Sequence, residues 1–410
     1  MLAADLAIVA FALPGHLALW IGRANALHAT ALPEWAVRTL SACCHCALLS
    51  GFLAFGAWFY FGGSLVDPSA DWSTGRGLAV AYVSVCFAVV AGPVRTWFYY
   101  RFLGPPPDSL LSSTSQEIDV AALLGRVPAR GFAAQVLLRL RLNESLRLEI
   151  TEKHLAVPRL PAALDGLSIA HVSDWHLGYK IALPYFEEVA RRVNALGCDL
   201  ICITGDLFEK KTGYDWTAAV YGQLRAEYGA YFCLGNHDAY LQDTAHIRNL
   251  LTAAGLVDVG QRCVEVVVRG ERVVLAGNEL PWITPAADMT HAAARSKADG
   301  GPLRIALLHT PDEIVWAQRH DFDLALAGHT HGGQIRLPVI GPVLVPSRLD
   351  VHYSAGTFDE PPTVLHVSRG ISGKMPLRYD CLPEITRLVL QKKGDGSLFL
   401  IRPSQRGSTA

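Results

Sequence analysis

The chain has no surplus of either charge: 36 Lys and Arg stand against 37 Asp and Glu, a formal net charge of −1 over 410 residues. With no basic stripe along it, it lacks the footprint of a protein that neutralises a phosphate backbone, so no nucleic-acid partner is expected. The cysteines are scattered. Cys198, Cys202, Cys233, Cys263 and Cys381 show no paired spacing, which excludes a disulfide framework. There are no internal repeats or low-complexity tracts. A basic leader is also missing: Asp5 stands where the positive end of a signal peptide belongs, and two further apolar runs follow, so the first run is not read as a cleavable signal.

Long apolar runs are present, and they crowd the start. Leu2–Ile21, Val37–Phe61 and Gly77–Phe98 each match the roughly 20 residues that cross a bilayer core. Aromatic residues gather at their ends (Trp58, Phe59, Tyr60; Trp97, Phe98, Tyr99, Tyr100), as expected at headgroup depth. A buried helical domain is the alternative. Arg23 and Arg38 flank the first loop, Asp67, Asp71 and Arg76 the second, and Arg95, Arg101, Arg126 and Arg130 follow the third run. The positive-inside rule then places the first loop and everything after the third run in the cytoplasm, with the N-terminus outside. Cys43, Cys44, His45 and Cys46 lie inside an apolar run and read as small residues packing helices together rather than a metal cluster. His16, beside Pro14 and Gly15, marks either function or a kink.

The remaining chain alternates strand-like and helix-like segments. Five short apolar runs each end in polar metal-ligand types: Ser168–Ser173 into Asp174-Trp175-His176; Leu200–Thr204 into Gly205-Asp206; Tyr231–Leu234 into Gly235-Asn236-His237-Asp238; Ile305–Leu308 into His309; and Leu324–Ala327 into Gly328-His329-Thr330-His331. Runs of that kind suit parallel strands buried on both faces. Pro184–Leu196 and Asp243–Ala254 read as helices between them. Ligand types therefore collect at the carboxyl ends of strands, where open α/β sheets place their sites. If Gly328–Gln334 is extended, His329 and His331 point the same way into one cavity. The donors are oxygen and nitrogen with no cysteine among them, which favours manganese, iron or zinc over a thiolate zinc site. Seven ligands exceed what one ion with an open position needs and suit two ions sharing a carboxylate.

The ordered set Asp-x-His, Gly-Asp, Gly-Asn-His-Asp, His and Gly-His-x-His resembles the calcineurin-like binuclear metallophosphoesterases. The Gly-His-Thr-His-Gly-Gly-Gln-Ile-Arg-Leu-Pro run, Val367–Ile371, Pro383-Glu384-Ile385 and the lead-in Pro158 to Pro161 are similar to the membrane-associated phosphodiesterase branch, over about Glu149 to Leu390. The resemblance implies Asp174, His176 and His331 on a first metal, Asp206 bridging, and Asn236, His309 and His329 on a second. It implies His237 near the leaving group as the catalytic residue, with Asp238 orienting it or capping a helix. The activity implied is hydrolysis of phosphate esters, phosphodiesters above all, by in-line attack of a hydroxide bound to the two metals. Trp175 and Thr310 depart from the usual pattern without removing a ligand.

The expected fold is α/β: a four-layer α/β/β/α sandwich preceded by an all-α membrane segment of about three transmembrane helices. The expected divisions are 1–102 (transmembrane), 103–148 (linker and juxtamembrane helix), 149–401 (metallophosphoesterase domain) and 402–410 (disordered tail). Residues 120–146 would lie along the membrane surface or simply connect. The chain would be an integral protein of an inner or plasma membrane, with a phosphate ester substrate that is lipid-linked if proximity decides. A nuclease of the same superfamily and a catalytically silent metal-binding scaffold are the competing readings. Glu209 is balanced between supporting the site and capping a helix in water; Arg369, Lys374 and Arg378 read as a solvated face before phosphate contacts.

Overall fold

The computed structural model describes residues 2–60, 64–67, 74–98, 106–290, 292, 301–349 and 351–392. The expected tail 402–410, Tyr99, Tyr100 and most of the linker's start lie outside these. Two compact units result, Met1–Pro106 and Pro107–Ala410.

The first unit consists of α1 (Leu2–His28), α2 (Glu34–Tyr60) and α3 (Thr74–Phe98). Two are long and apolar enough to cross a membrane, over Ala3–His28 and Glu34–Phe55. The third differs from expectation. Among the described residues its apolar stretch is Gly75–Val90, inside the longer helix Thr74–Phe98. Polar groups tie the three helices together. His16 bonds the Tyr82 hydroxyl at 2.6 Å through Nδ1 and the Leu48 carbonyl at 2.8 Å through Nε2, and Trp20 Nε1 donates to the same hydroxyl at 2.9 Å. His16 is therefore a satisfied interhelical link, and the Gly51 face leaves room for its ring.

The second unit is built on two sheets. In chain order the first holds β1 (Leu110–Asp119), β2 (Arg147–Val157), β3 (Leu167–Val172), β4 (Leu200–Thr204), β5 (Ala230–Cys233) and β6 (Val257–Asp258), and it is completed by β15 (Glu384–Lys392) between β2 and β3. The second holds β7 (Cys263–Val268), β8 (Glu271–Asn278), β9 (Leu303–Leu308), β10 (Leu324–Ala327), β13 (Gly356–Glu360) and β14 (Thr363–Val367), in the order β13-β14-β10-β9-β8-β7. A small hairpin, β11 (Arg336–Leu337) with β12 (Gly341–Pro342), stands apart. β3, β4 and β5 run parallel, as do β8, β9, β10 and β14.

Side-chain alternation sorts the cores. Leu167, Ile169, Leu200 and Cys202 point between the sheets, where they meet Ile305, Leu307, Leu324 and Leu326 of the second sheet. Ala170, Val172, Ile201 and Ile203 face outward onto Tyr185, Phe186 and Val189 of helix Leu183–Ala195 and Leu251 of helix Thr244–Ala253. On the second sheet's outer face, Ala306, Leu308, Ala325 and Ala327 meet Ile314, Ala317 and Phe322. Both helices expected from the sequence form within a residue of their expected ends.

Within the stretch read as linker and juxtamembrane helix, the described residues hold a strand and two short helices. β1 pairs antiparallel with β2 along its whole length, from Leu110 to Asp119. Its side chains are mostly exposed, so a Ser- and Thr-rich edge strand shows no apolar alternation to read. The segment after it breaks into short helices, Val120–Leu123 and Phe132–Leu138. Gly125 and Gly131, at φ 63° and 86°, and Pro128 between them end any longer helix.

Candidate metal centre

The nine sequence-predicted residues converge where β3, β4, β5, β9 and β10 end. Asp174, His176, Asp206 and His331 present donor atoms within 4.8 Å of one another, and Asp206, His309 and His329 do the same. Asp206 belongs to both groups. Its Oδ2 lies 3.5 Å from His176 Nε2, and its Oδ1 lies 3.4 Å from His309 Nε2. On the first side, His331 Nε2 and His176 Nε2 stand 3.5 and 4.0 Å from Asp174 Oδ1. On the second, Asn236 Oδ1 is 2.9 Å from His309 Nε2.

These spacings suit donors around a shared cation, since two atoms each about 2.0–2.2 Å from one ion sit roughly 3 Å apart. Asp206 Oδ2 and His176 Nε2 are buried atoms with no hydrogen-bond partner among the described residues, a costly state that a cation would relieve. The opposite ring edges are held. His176 Nδ1 donates to Glu209 Oε2 at 3.0 Å, His309 Nδ1 to the Thr204 carbonyl at 2.9 Å and His331 Nδ1 to the Ser372 carbonyl at 3.1 Å. Each bond fixes the tautomer that leaves Nε2 free to coordinate.

The backbone achieves this by strain. Asp174, His176, Asp206, His329 and His331 all have positive φ, between 50° and 68°, a conformation that costs a non-glycine residue about 1 kcal/mol or more and persists only where surroundings enforce it. The extended reading of Gly328–Gln334 is therefore wrong. Left-handed residues separated by Thr330 turn the two rings apart, so that His329 packs by His309 (4.8 Å between centroids) and His331 by His176 (5.1 Å).

Glu209 is part of the site. Its side chain is buried, and its Oε2 accepts from His176 and, at 2.6 Å, from His237 Nδ1. Burial alone would raise its pKa, but the two histidine bonds outweigh that and hold the carboxyl well below its usual range. For His237, burial disfavours the charged ring, yet Asp206 and Glu209 prevail and raise it to about 9. Asp238 holds loops: its carboxylate accepts the amides of Leu207 (3.1 Å), Phe208 (2.9 Å) and Gly235 (2.9 Å). Trp282, which carries no motif to reveal it, stacks beside His329 at 4.8 Å and His309 at 5.5 Å. Trp175 is buried in the core against Tyr221, and Thr310 caps the short helix Pro311–Glu313. Arg369 and Arg378 are not a solvated face: Arg369 pairs with Glu149 and Glu384, and the buried Arg378 donates to the carbonyls of Gly370 and Ser372. Lys374 remains half-exposed, 3.9 Å from Glu209.

A model of the calcineurin-like phosphoesterases matches residues 167–333, the span that carries these motifs. The Bacillus subtilis protein named uncharacterized metallophosphoesterase YkuE is 31% identical over 258 residues, which are 61% of this chain and 88% of that one. The chain belongs to the calcineurin-like phosphoesterase family. A bovine (Bos taurus) transmembrane protein with metallophosphoesterase domain is 30% identical over 265 residues, covering 61% of this chain but 59% of the bovine one. Phosphodiesterase YaeI of Escherichia coli is 29% identical over 230 residues, 54% of this chain and 81% of that protein. This metallophosphoesterase is accordingly a hydrolase of phosphoric esters, with a residue cluster able to hold divalent metal.

A glycine of the family's last motif offers a local test. A Cβ on Gly328 would fall 1.8 Å from Ser173 Oγ and 2.5 Å from Asp174 Oδ2. Gly328→Ala should displace the Asp174 carboxylate and weaken metal affinity on the order of 10–100-fold, as loss of an orienting contact does. Titration calorimetry with manganese reads this; an unchanged affinity would mean that Asp174 is not held by that contact.

Proposed function

We propose that this chain is a membrane-tethered phosphoesterase that cleaves phosphodiesters with two divalent cations. The Asp206 carboxylate carries the reading, because it turns one oxygen to each of two histidine clusters. Asp174, His176 and His331 would hold the first ion together with Asp206, and Asn236, His309 and His329 would hold the second with the same carboxylate. The nitrogen and oxygen donors favour manganese, iron or zinc. Divalent ions held there would supply an acidified water near neutral pH and polarisation of the phosphoryl oxygens.

The chain's own residues supply the rest. Asp206 fixes the spacing between the two clusters, and Asp238 fixes the loops that carry Asp206 and Asn236. With Nδ1 committed to Glu209, His237 has Nε2 left to protonate the leaving oxygen. The similarity to phosphodiesterase YaeI supports a diester preference, and the apolar helices support a substrate at the membrane, including a lipid-linked phosphate. The same reading takes the two sheets with helices on their outer faces as a four-layer α/β/β/α sandwich. It also places the first loop and the catalytic unit in the cytoplasm, which requires α3 to cross with α1 and α2.

The test is a panel of phosphate mono- and diesters given to the manganese-loaded full chain. His237→Ala should cost about 10²–10⁴-fold on alkyl leaving groups and much less on nitrophenolate, which needs no proton. An equal loss on both removes His237 from the acid role.

A further inference from the structure

The catalytic unit exposes two apolar segments that are tied by hydrogen bonds to the strip of chain leading to the metal centre. The first is residues 132–142, where Phe132 (83% exposed), Val136 and Leu140 recur every four residues and Leu142 (69% exposed) follows. The second is the hairpin that continues the His331 loop, where Ile335, Leu337, Val339 (69% exposed), Ile340 and Leu344 face solvent. Soluble surfaces scatter such residues singly; clusters of them mark a partner or a membrane.

One strip of chain joins the two segments. The Asn143 side-chain amide donates to the Pro376 carbonyl at 2.7 Å, and the Glu144 backbone amide donates to the Arg378 carbonyl at 2.9 Å. From the other side, the Arg336 backbone amide donates to the Tyr379 carbonyl at 2.9 Å. Exposed Met375 lies on that strip. The strip leads back to the centre through Ser372, whose carbonyl holds His331.

Charge selects the occupant. Residues 120–143 contain Arg126, Arg130, Arg139 and Arg141 and no acidic residue, and all four arginines are exposed. Asp380 is the exposed acid on the joining strip. A basic border around exposed Phe, Leu, Val and Ile matches an interfacial membrane surface, with the apolar groups at the acyl boundary and the arginines among anionic headgroups.

The geometry points to a membrane-docking face, formed by residues 132–142 and the Ile335–Leu344 hairpin, that seats the metal centre against an anionic lipid surface. This rests on the tethered-phosphoesterase reading and narrows it: the substrate phosphate would enter from the headgroup layer.

The full chain, reconstituted in phosphatidylcholine vesicles with and without phosphatidylglycerol, tests it. A bimane label is placed at Phe132→Cys, Val339→Cys or, as control, Val267→Cys on the exposed edge strand β7. The unsubstituted chain supplies the background from Cys43 and Cys46. Labels at 132 and 339 should be quenched by nitroxide lipids and shielded from iodide in phosphatidylglycerol vesicles, whereas 267 stays open to iodide. Each of Arg126, Arg139 and Arg141 changed to Gln should lower the docked-to-undocked ratio by about fivefold. Labels at 132 and 339 that behave like 267 overturn docking. So does shielding in detergent that grows with protein concentration, which would assign the face to a second copy. Alkaline extraction keeps the two readings apart: a chain that stays in the membrane with wet labels loses only the docking, and a chain that washes off loses the tether as well.

Discussion

Asp206→Asn should remove phosphoester hydrolysis from every substrate of the panel and deplete both ions together. The amide keeps the shape of the side chain but loses its charge and one acceptor oxygen. Each oxygen of Asp206 faces a different histidine cluster, 3.5 Å from His176 Nε2 and 3.4 Å from His309 Nε2, so the change strikes both sides at once. Oδ1 also accepts the His237 amide at 2.9 Å, which couples the bridging carboxylate to the position of the proposed acid. The loss should therefore exceed the roughly 10–100-fold that follows removal of an outer hydrogen-bond partner. His331→Ala gives the contrast: it should depress one equivalent of metal and leave the other, because its ring stands with His176 and not with His309. Metal analysis of the purified variants reads both. Full occupancy in Asp206→Asn would break the shared-carboxylate arrangement, and so would parallel loss of both ions in His331→Ala.

What could be read in advance was governed by burial. β3, β4 and β5 are buried along their whole length, so they appear as unbroken apolar runs, and the ligands stand where those runs stop. β1 is an edge strand in water and could not be seen. Spacing found His329 and His331 but misjudged them, because side-chain direction depends on φ, and the left-handed turns are imposed by the loop's surroundings rather than by residue type. Glu209 was ambiguous for a similar reason: a carboxylate after a strand is equally at home in solvent, and only its bonds to His176 and His237, two separate motifs, decide the matter. Arg369, Lys153, His366 and Glu384 come from distant parts of the chain, and nothing local announces that they meet.

Their meeting gives the largest expected effect on stability. Glu384 is buried; its Oε1 accepts from Lys153 Nζ at 3.0 Å and its Oε2 from Arg369 Nε at 2.9 Å. Lys153 also donates to His366 Nε2 at 3.0 Å. His366 Nδ1 then donates to His171 Nδ1 at 2.8 Å, and His171 Nε2 to the Thr204 hydroxyl at 2.9 Å, which requires both rings to be neutral. Glu384→Ala strands a buried ammonium and should cost about 3–5 kcal/mol; Glu384→Leu with Lys153→Met should cost less than Glu384→Ala alone, since the ammonium is gone and Arg369 keeps its pair with Glu149. Acid should act in the same direction. Burial holds His171 down to about 3 and His366 well below its ordinary value, so between there and roughly pH 6.5 the unfolded chain binds more protons and stability falls as pH falls. By pH 5 the His171 ring withdraws about 2 kcal/mol, and His366 acts in the same direction. Burial would raise Glu384, but Arg369 and Lys153 hold it well below the carboxylate range; its contribution is complete above about pH 4.5 and is lost only as pH drops through its lower folded value. Melting temperature should thus decline in two stages, first below pH 6.5 and again in stronger acid. His171→Gln should flatten the first stage and leave the second. A melting profile in which His171→Gln leaves the first stage intact would show that the buried rings carry protons in the folded chain.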